Sequence, residues 1–116
     1  MDHYHIWCDL KDGVSDTDFA DRVRSYLDHL KEEGLIAGWH LTRRKLGLGS
    51  PRLPEFHILL ETEDLAQLDR AFNHVASRGG PIEGLHHAVN SLVDDVFFAL
   101  YRDFPDPVRV RGEEKF

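Results

Sequence analysis

A single cysteine, Cys8, stands in a chain of 116 residues, so no disulfide can form within it and a thiolate-rich metal site is excluded. Positive charge is short as well. Fourteen Lys and Arg against 21 Asp and Glu leave a formal charge of −7, which argues against a nucleic-acid backbone or an anionic membrane as the main partner. Arg43, Arg44 and Lys45 form one basic cluster that does not extend into a stripe. Long apolar runs are missing: the longest, Val96 to Tyr101, is far too short to cross a bilayer. The N-terminus shows no basic segment leading into an apolar one, so no secretory signal is visible and the cytoplasm is the default location. With 41% hydrophobic and 30% charged residues, the chain falls among soluble globular proteins rather than disordered ones.

The segment Asp2 to Leu10, DHYHIWCDL, alternates with strand period. Tyr4, Ile6, Cys8 and Leu10 form one face, and His3, His5, Trp7 and Asp9 the other. Ser15, with Asp18 three residues on, opens an amphipathic helix carrying Phe19, Val23, Tyr26, Leu27 and Leu30, and Gly34 ends it. Ile36 to Leu46 reads as a second strand, with Trp39 and Leu41 opposite His40 and Thr42. A Gly- and Pro-containing loop leads to a third strand, Glu55 to Thr62, which sets Phe56, Ile58 and Leu60 opposite His57 and Leu59. Asp64 starts a second helix with an apolar stripe of Leu65, Leu68, Phe72, Val75 and Ala76, stopped by Gly79-Gly80-Pro81. A short helix from Ile82 to about Leu92 carries His86 and His87, and Val93 to Phe104 is a last strand, apolar on both faces.

The order β-α-β-β-α-β, with a short extra helix before the last strand, predicts an α+β ferredoxin-like sandwich. Its antiparallel sheet has strand order 2-3-1-4, with the helices on one face. Residues 1–104 form this single domain, and residues 105–116 a loosely attached, charged C-terminal tail. The apolar strand faces belong under the helices. The uncovered face then holds His5, Trp7, His40, Thr42, His57 and Leu59, together with either Val96, Phe98 and Leu100 or Phe97, Ala99 and Tyr101. Such a face is too apolar to leave in water. At ~25 cal/mol per Å2, covering ~400 Å2 gains on the order of 10 kcal/mol before entropy costs. The simplest cover is a second copy, which gives a homodimer of the dimeric α+β barrel type.

The segments HYHIWCDL, TRRKLGLG and GLHHAVNSLVDDVFFALYRDFPD resemble a family of small bacterial proteins of unknown function with a dimeric ferredoxin-like fold. The resemblance runs from His3 to about Asp106 and implies the fold and the dimer, but no activity. At the level of fold the chain is also similar to dimeric α+β barrel proteins, which include cofactor-independent monooxygenases and haem-degrading, dehalogenating or isomerising enzymes. No catalytic motif of those enzymes maps onto it residue by residue, and one fold hosts many functions.

Three constellations carry chemistry. His5, His40 and His57 lie on adjacent strands with the same parity, so matching registers would align their imidazoles in a row, with His3, Asp9, Glu55 and Glu61 further along. Imidazoles with a carboxylate suit zinc, iron or nickel, and a histidine in a cavity suits general acid–base work. The plainer reading is that they hydrogen-bond within a dimer interface. His86 and Asn90, four apart on the short helix, share a face and would join the strand histidines at the barrel mouth, whereas a surface helix needs no such role. Arg44 shares parity with His40 and Thr42 and would anchor an anion at the rim, with Gly47 and Gly49 letting the loop approach. A solvated hairpin end explains the same residues. Cys8 reads as core rather than nucleophile.

The expectation is a homodimer with a His-rich cavity on the uncovered sheet face, binding a small organic molecule or a metal and suited to acid–base chemistry. His5, His57 and His40 are the polar centre, Trp7 an aromatic wall, and Thr42, Arg44, His86 and Asn90 the ligand contacts. The metal and cofactor identities are open. The rival is a non-enzymatic dimerisation module whose histidines are structural.

Overall fold

Alternation in the N-terminal segment becomes strand β1 (Asp2–Leu10), followed by α1 (Asp16–Glu32), β2 (Gly38–Arg43), β3 (Phe56–Thr62), α2 (Leu65–Ala76), α3 (Gly80–Asn90) and β4 (Val93–Arg102). The computed structural model describes residues 1–106 and 111–112, so most of the expected tail lies outside the described residues. The four strands form one antiparallel sheet in the order β2-β3-β1-β4, as the ferredoxin-like reading requires. No helix among the described residues is long and apolar enough to cross a membrane.

Local chemistry sets most boundaries. The Ser15 hydroxyl accepts a hydrogen bond from the Asp18 amide at the start of α1, and Gly34 takes a positive φ of 73° just past its end. Asp64 caps α2 by accepting from the Gln67 amide at 2.8 Å. β2 is shorter than expected, because pairing with β3 begins at Gly38 opposite Glu61 and ends at Arg43 opposite Phe56. Ile36, expected in the strand, is buried in the core just before it.

The core lies between the sheet and α1, where Phe19, Val23, Leu27 and Leu30 meet Cys8, Phe56, Ile58 and Leu60. Phe19 packs edge-on to Phe56 at 5.2 Å. Burying each such side chain is worth about 1.5–3 kcal/mol. The α2 stripe departs from expectation: Leu68 is buried, but Leu65 and Phe72 are nearly half exposed. Gln67 takes an inward position instead, accepting from the Glu63 amide and donating to the Gly34 carbonyl. Those two bonds satisfy the Glu63 amide ahead of α2 and the Gly34 carbonyl just past the end of α1.

A bulge decides which face of β4 is which. Asp94 pairs with Asp9 and Phe97 with Trp7, so β4 carries one extra residue there. Asp95, within the bulge, has φ 51°, a left-handed conformation that Asp tolerates better than most residues. Phe97, Ala99 and Tyr101 therefore join the open face, opposite Trp7, His5 and His3. Val96, Phe98 and Leu100 point to the helix side, yet stay largely exposed because the helix layer leaves β4 poorly covered.

Candidate functional site

The registers arrange the open face in rows. One row is His40, Leu59, His5 and Ala99, and the next is Thr42, His57, Trp7 and Phe97. The expected row of three histidines does not form, since Leu59 stands between His40 and His5. His5 and His57 meet on the diagonal instead, with His5 Nδ1 2.9 Å from His57 Nε2. One of these nitrogens donates and the other accepts. Trp7 stacks on both rings, at 5.4 Å from His5 and 4.8 Å from His57, and Tyr101 approaches His5 edge-on at 5.1 Å. Partial burial pushes both imidazoles below their ordinary pKa, helped at His5 by His3 and at His57 by His5. The Thr42 hydroxyl lies 3.3 Å from His57 Nδ1, so Thr42 belongs to the cluster.

Two expected members stand apart. His40 is exposed and pairs with Glu61 at 3.2 Å. Arg44 turns away from any rim: its guanidinium donates to the carbonyls of Ser50, Leu53 and Pro54 and staples the hairpin loop. Gly49 serves that staple rather than an anion, because a Cβ there would come within 2.8 Å of Arg44 Nε. No group of three or more His, Cys, Asp or Glu placed to hold a metal ion occurs among the described residues.

Within the protomer, a cavity of about 290 Å3 lies on the opposite side of the sheet, under the helices. Tyr4, Ile6 and Cys8 of β1 and Ile58 and Leu60 of β3 form its floor. Val23, Tyr26, Leu27 and Leu30 of α1, with Ala71, Phe72 and Val75 of α2, form its roof. Phe98 and Val96 line it on the β4 side, where the helix layer is thin. His86 and Asn90 reach this cavity, not the open face. Gly79 is the N-cap of α3, Pro81 sits in its first turn, and the Arg22 guanidinium donates to the Ala88 carbonyl, tying α3 to α1. Ile82 and Val89 are its buried residues, and helical spacing puts His86 on their face while His87 stays exposed. The expected union of His86 and Asn90 with the strand histidines fails because the sheet separates them.

The fold and both faces can be set against known proteins. A model of DUF6614, a family of unknown function, matches residues 1–116. The chain belongs to that family. No curated protein matches it significantly. Among solved structures, it is similar to At3g17210 from Arabidopsis thaliana, with a TM-score of 0.67 and 15% identity over 95% of this chain and 100% of that one. A dimeric ferredoxin-like protein of unknown function from Jannaschia sp. CCS1 superposes with a TM-score of 0.65 and 10% identity, covering 89% of this chain and 100% of its own. HapK from Hahella chejuensis gives 0.58 and 16%, covering 95% and 99%. At such identities these neighbours establish the ferredoxin-like fold and nothing finer.

Sequence reasoning missed the helix-side residues Tyr4, Tyr26 and Phe72. A signal was present: Tyr4 and Tyr26 are polar-tipped aromatics within otherwise apolar stripes. Burial raises the Tyr4 hydroxyl and pushes Tyr26 up to about 12, while Cys8 is pushed up to about 11, so all three keep their protons. A further cleft at one end of the sheet is lined by Asp9, Asp16, Glu55, Asp94 and Asp95 around Arg43. The Arg43 guanidinium donates to Asp16 at 3.0 Å and to Glu55 at 3.3 Å, which accounts for it as an ion-pair network.

Proposed function

We propose that the chain works as a homodimer in which each protomer binds a small, mainly apolar organic molecule between sheet and helices. The cavity of about 290 Å3 carries the reading. Its size is near the lower end of ligand pockets, about 300–1,000 Å3, and its lining has their composition: apolar and aromatic walls with a few polar groups. At ~24 cal/mol per Å3, leaving such a space empty forfeits at most about 7 kcal/mol of packing. That is comparable with the whole stability of a small domain, about 5–15 kcal/mol. A purely structural module would gain by filling it. The test is titration of the protein with naphthalene, followed through the methyl resonances of Ile6, Ile58 and Val89. Shifts are expected, and Ala71→Phe, which puts a ring into the space from α2, should remove them without lowering the thermal midpoint. Equal binding by the filled variant would sink the reading.

Closure of the open face by a second copy is supported by the exposed rings of Phe97 and Tyr101 beside Trp7 and Leu59, and by the dimeric description of the Jannaschia neighbour. A second reading places chemistry there. Under a partner's sheet, His5 and His57 would form an enclosed acid–base pair, with Thr42 on the far nitrogen of His57. The 2.9 Å contact favours it. The double variant His5→Gln/His57→Gln separates this from a structural pair. A weakened dimer in sedimentation means the imidazoles are interface packing, and an unchanged dimer leaves the pair free for chemistry.

A further inference from the structure

We propose that the molecule taken by the helix-side cavity is uncharged and ring-bearing, with a hydrogen-bond acceptor such as a ketone or phenol oxygen at its polar end. This rests on the cavity reading above. The first observation is what the lining leaves out: among the described residues, no Asp, Glu, Lys or Arg side chain borders the space. A carboxylate or ammonium ligand would give up its hydration there with no countercharge from the lining to replace it.

The second observation concerns hydrogen bonds. Tyr4, Tyr26, His86 and Asn90 all line the cavity, and none of their side chains has a hydrogen-bond partner among the described residues. Burial keeps both phenols protonated, so they offer O–H donors rather than negative oxygens. Tyr26 and His86 lie close together, their ring centroids 5.6 Å apart. Tyr26 offers its hydroxyl proton and His86 the proton on one of its ring nitrogens, which suits an acceptor oxygen.

The third observation is the aromatic wall. Tyr4 stacks on Phe98 with centroids 5.9 Å apart and planes within 5°, and meets Phe72 edge-on at 5.3 Å. Phe72 and Phe98 are each about half exposed, so their rings are free to adjust around a planar guest.

Matched probes of equal ring size test this. 2-Acetylnaphthalene carries only an acceptor, 2-naphthol an uncharged hydroxyl, and 2-naphthoate a full negative charge. With methyl shifts of the intact protein as readout, the two neutral probes should bind at least tenfold more tightly than naphthoate. Naphthoate binding as tightly as the ketone would overturn the inference while leaving the cavity reading intact. Shifts from none of the probes, nor from naphthalene, would overturn both. Tyr26→Phe supplies a second arm: it should weaken 2-acetylnaphthalene at least fivefold and leave naphthalene unchanged. A loss equal for both probes, or for neither, would remove Tyr26 as the donor.

Discussion

The two faces of the sheet differ in a way that misleads a reader of residue types. The open face gathers the titratable groups: His3, His5, His57 and His40, with Glu61. Yet its rings stack on one another and satisfy each other, as the 2.9 Å contact between His5 and His57 shows. The cavity on the helix face is lined, among the described residues, by apolar side chains with Tyr4, Cys8, Tyr26, His86 and Asn90, and by no Asp, Glu, Lys or Arg. Polar density marks where a surface needs satisfying, whereas concavity marks where a molecule can enter. The adjacent residues Phe97 and Phe98 divide along this line, one on each face.

Four perturbations sharpen or break the comparison. The largest effect belongs to the helix-side core. Phe19 is fully buried, and Phe19→Ala should cost about 3–5 kcal/mol in denaturant unfolding. An open-face truncation such as Trp7→Ala should leave the stability of the isolated protomer far less affected. Next comes the phenylalanine pair. Phe97→Asp should weaken the dimer at least a hundredfold, about 3 kcal/mol, in sedimentation while sparing the cavity. Phe98→Asp should do the reverse, weakening naphthalene binding and sparing the dimer. If both variants act alike, the two faces are not separate sites.

A smaller effect comes from the α2 cap. Asp64→Ala removes the acceptor for the Gln67 amide and should cost about 1 kcal/mol by thermal unfolding, with no change in the association constant. The smallest effect is with pH. His5 and His57 hold protons less tightly in the folded chain than in the unfolded one, because burial disfavours the charged rings. Acidification therefore protonates the unfolded chain first. Stability should be at its full value above the ordinary imidazole pKa, about 6.5, and should fall as pH drops from there through the lowered values. His5→Gln/His57→Gln should flatten the curve below the ordinary imidazole pKa. An unchanged curve would remove these two rings from the linkage.

Much of the architecture was legible because its causes are local. Period-two alternation placed Tyr4, Ile6 and Cys8 under the helices and His5 and Trp7 on the open face, because successive side chains on a strand point to opposite sides. Ser15 and Asp64 announced α1 and α2 because a short polar side chain bonds the amide three residues on. Parity carries a residue to a face but not to a row. Cross-strand pairing put Leu59, not His57, between His40 and His5. One extra residue at the β4 bulge chose Phe97 over Phe98 for the open face, a choice open in a strand apolar on both sides. Arg44 found its partners in loop carbonyls that no spacing rule foretells. The cavity depends on how far the helix layer stops short of β4. Face and cap follow from bonds between near neighbours in the chain. Row, bulge and cavity arise only when distant segments pack, so they belong to the tertiary structure.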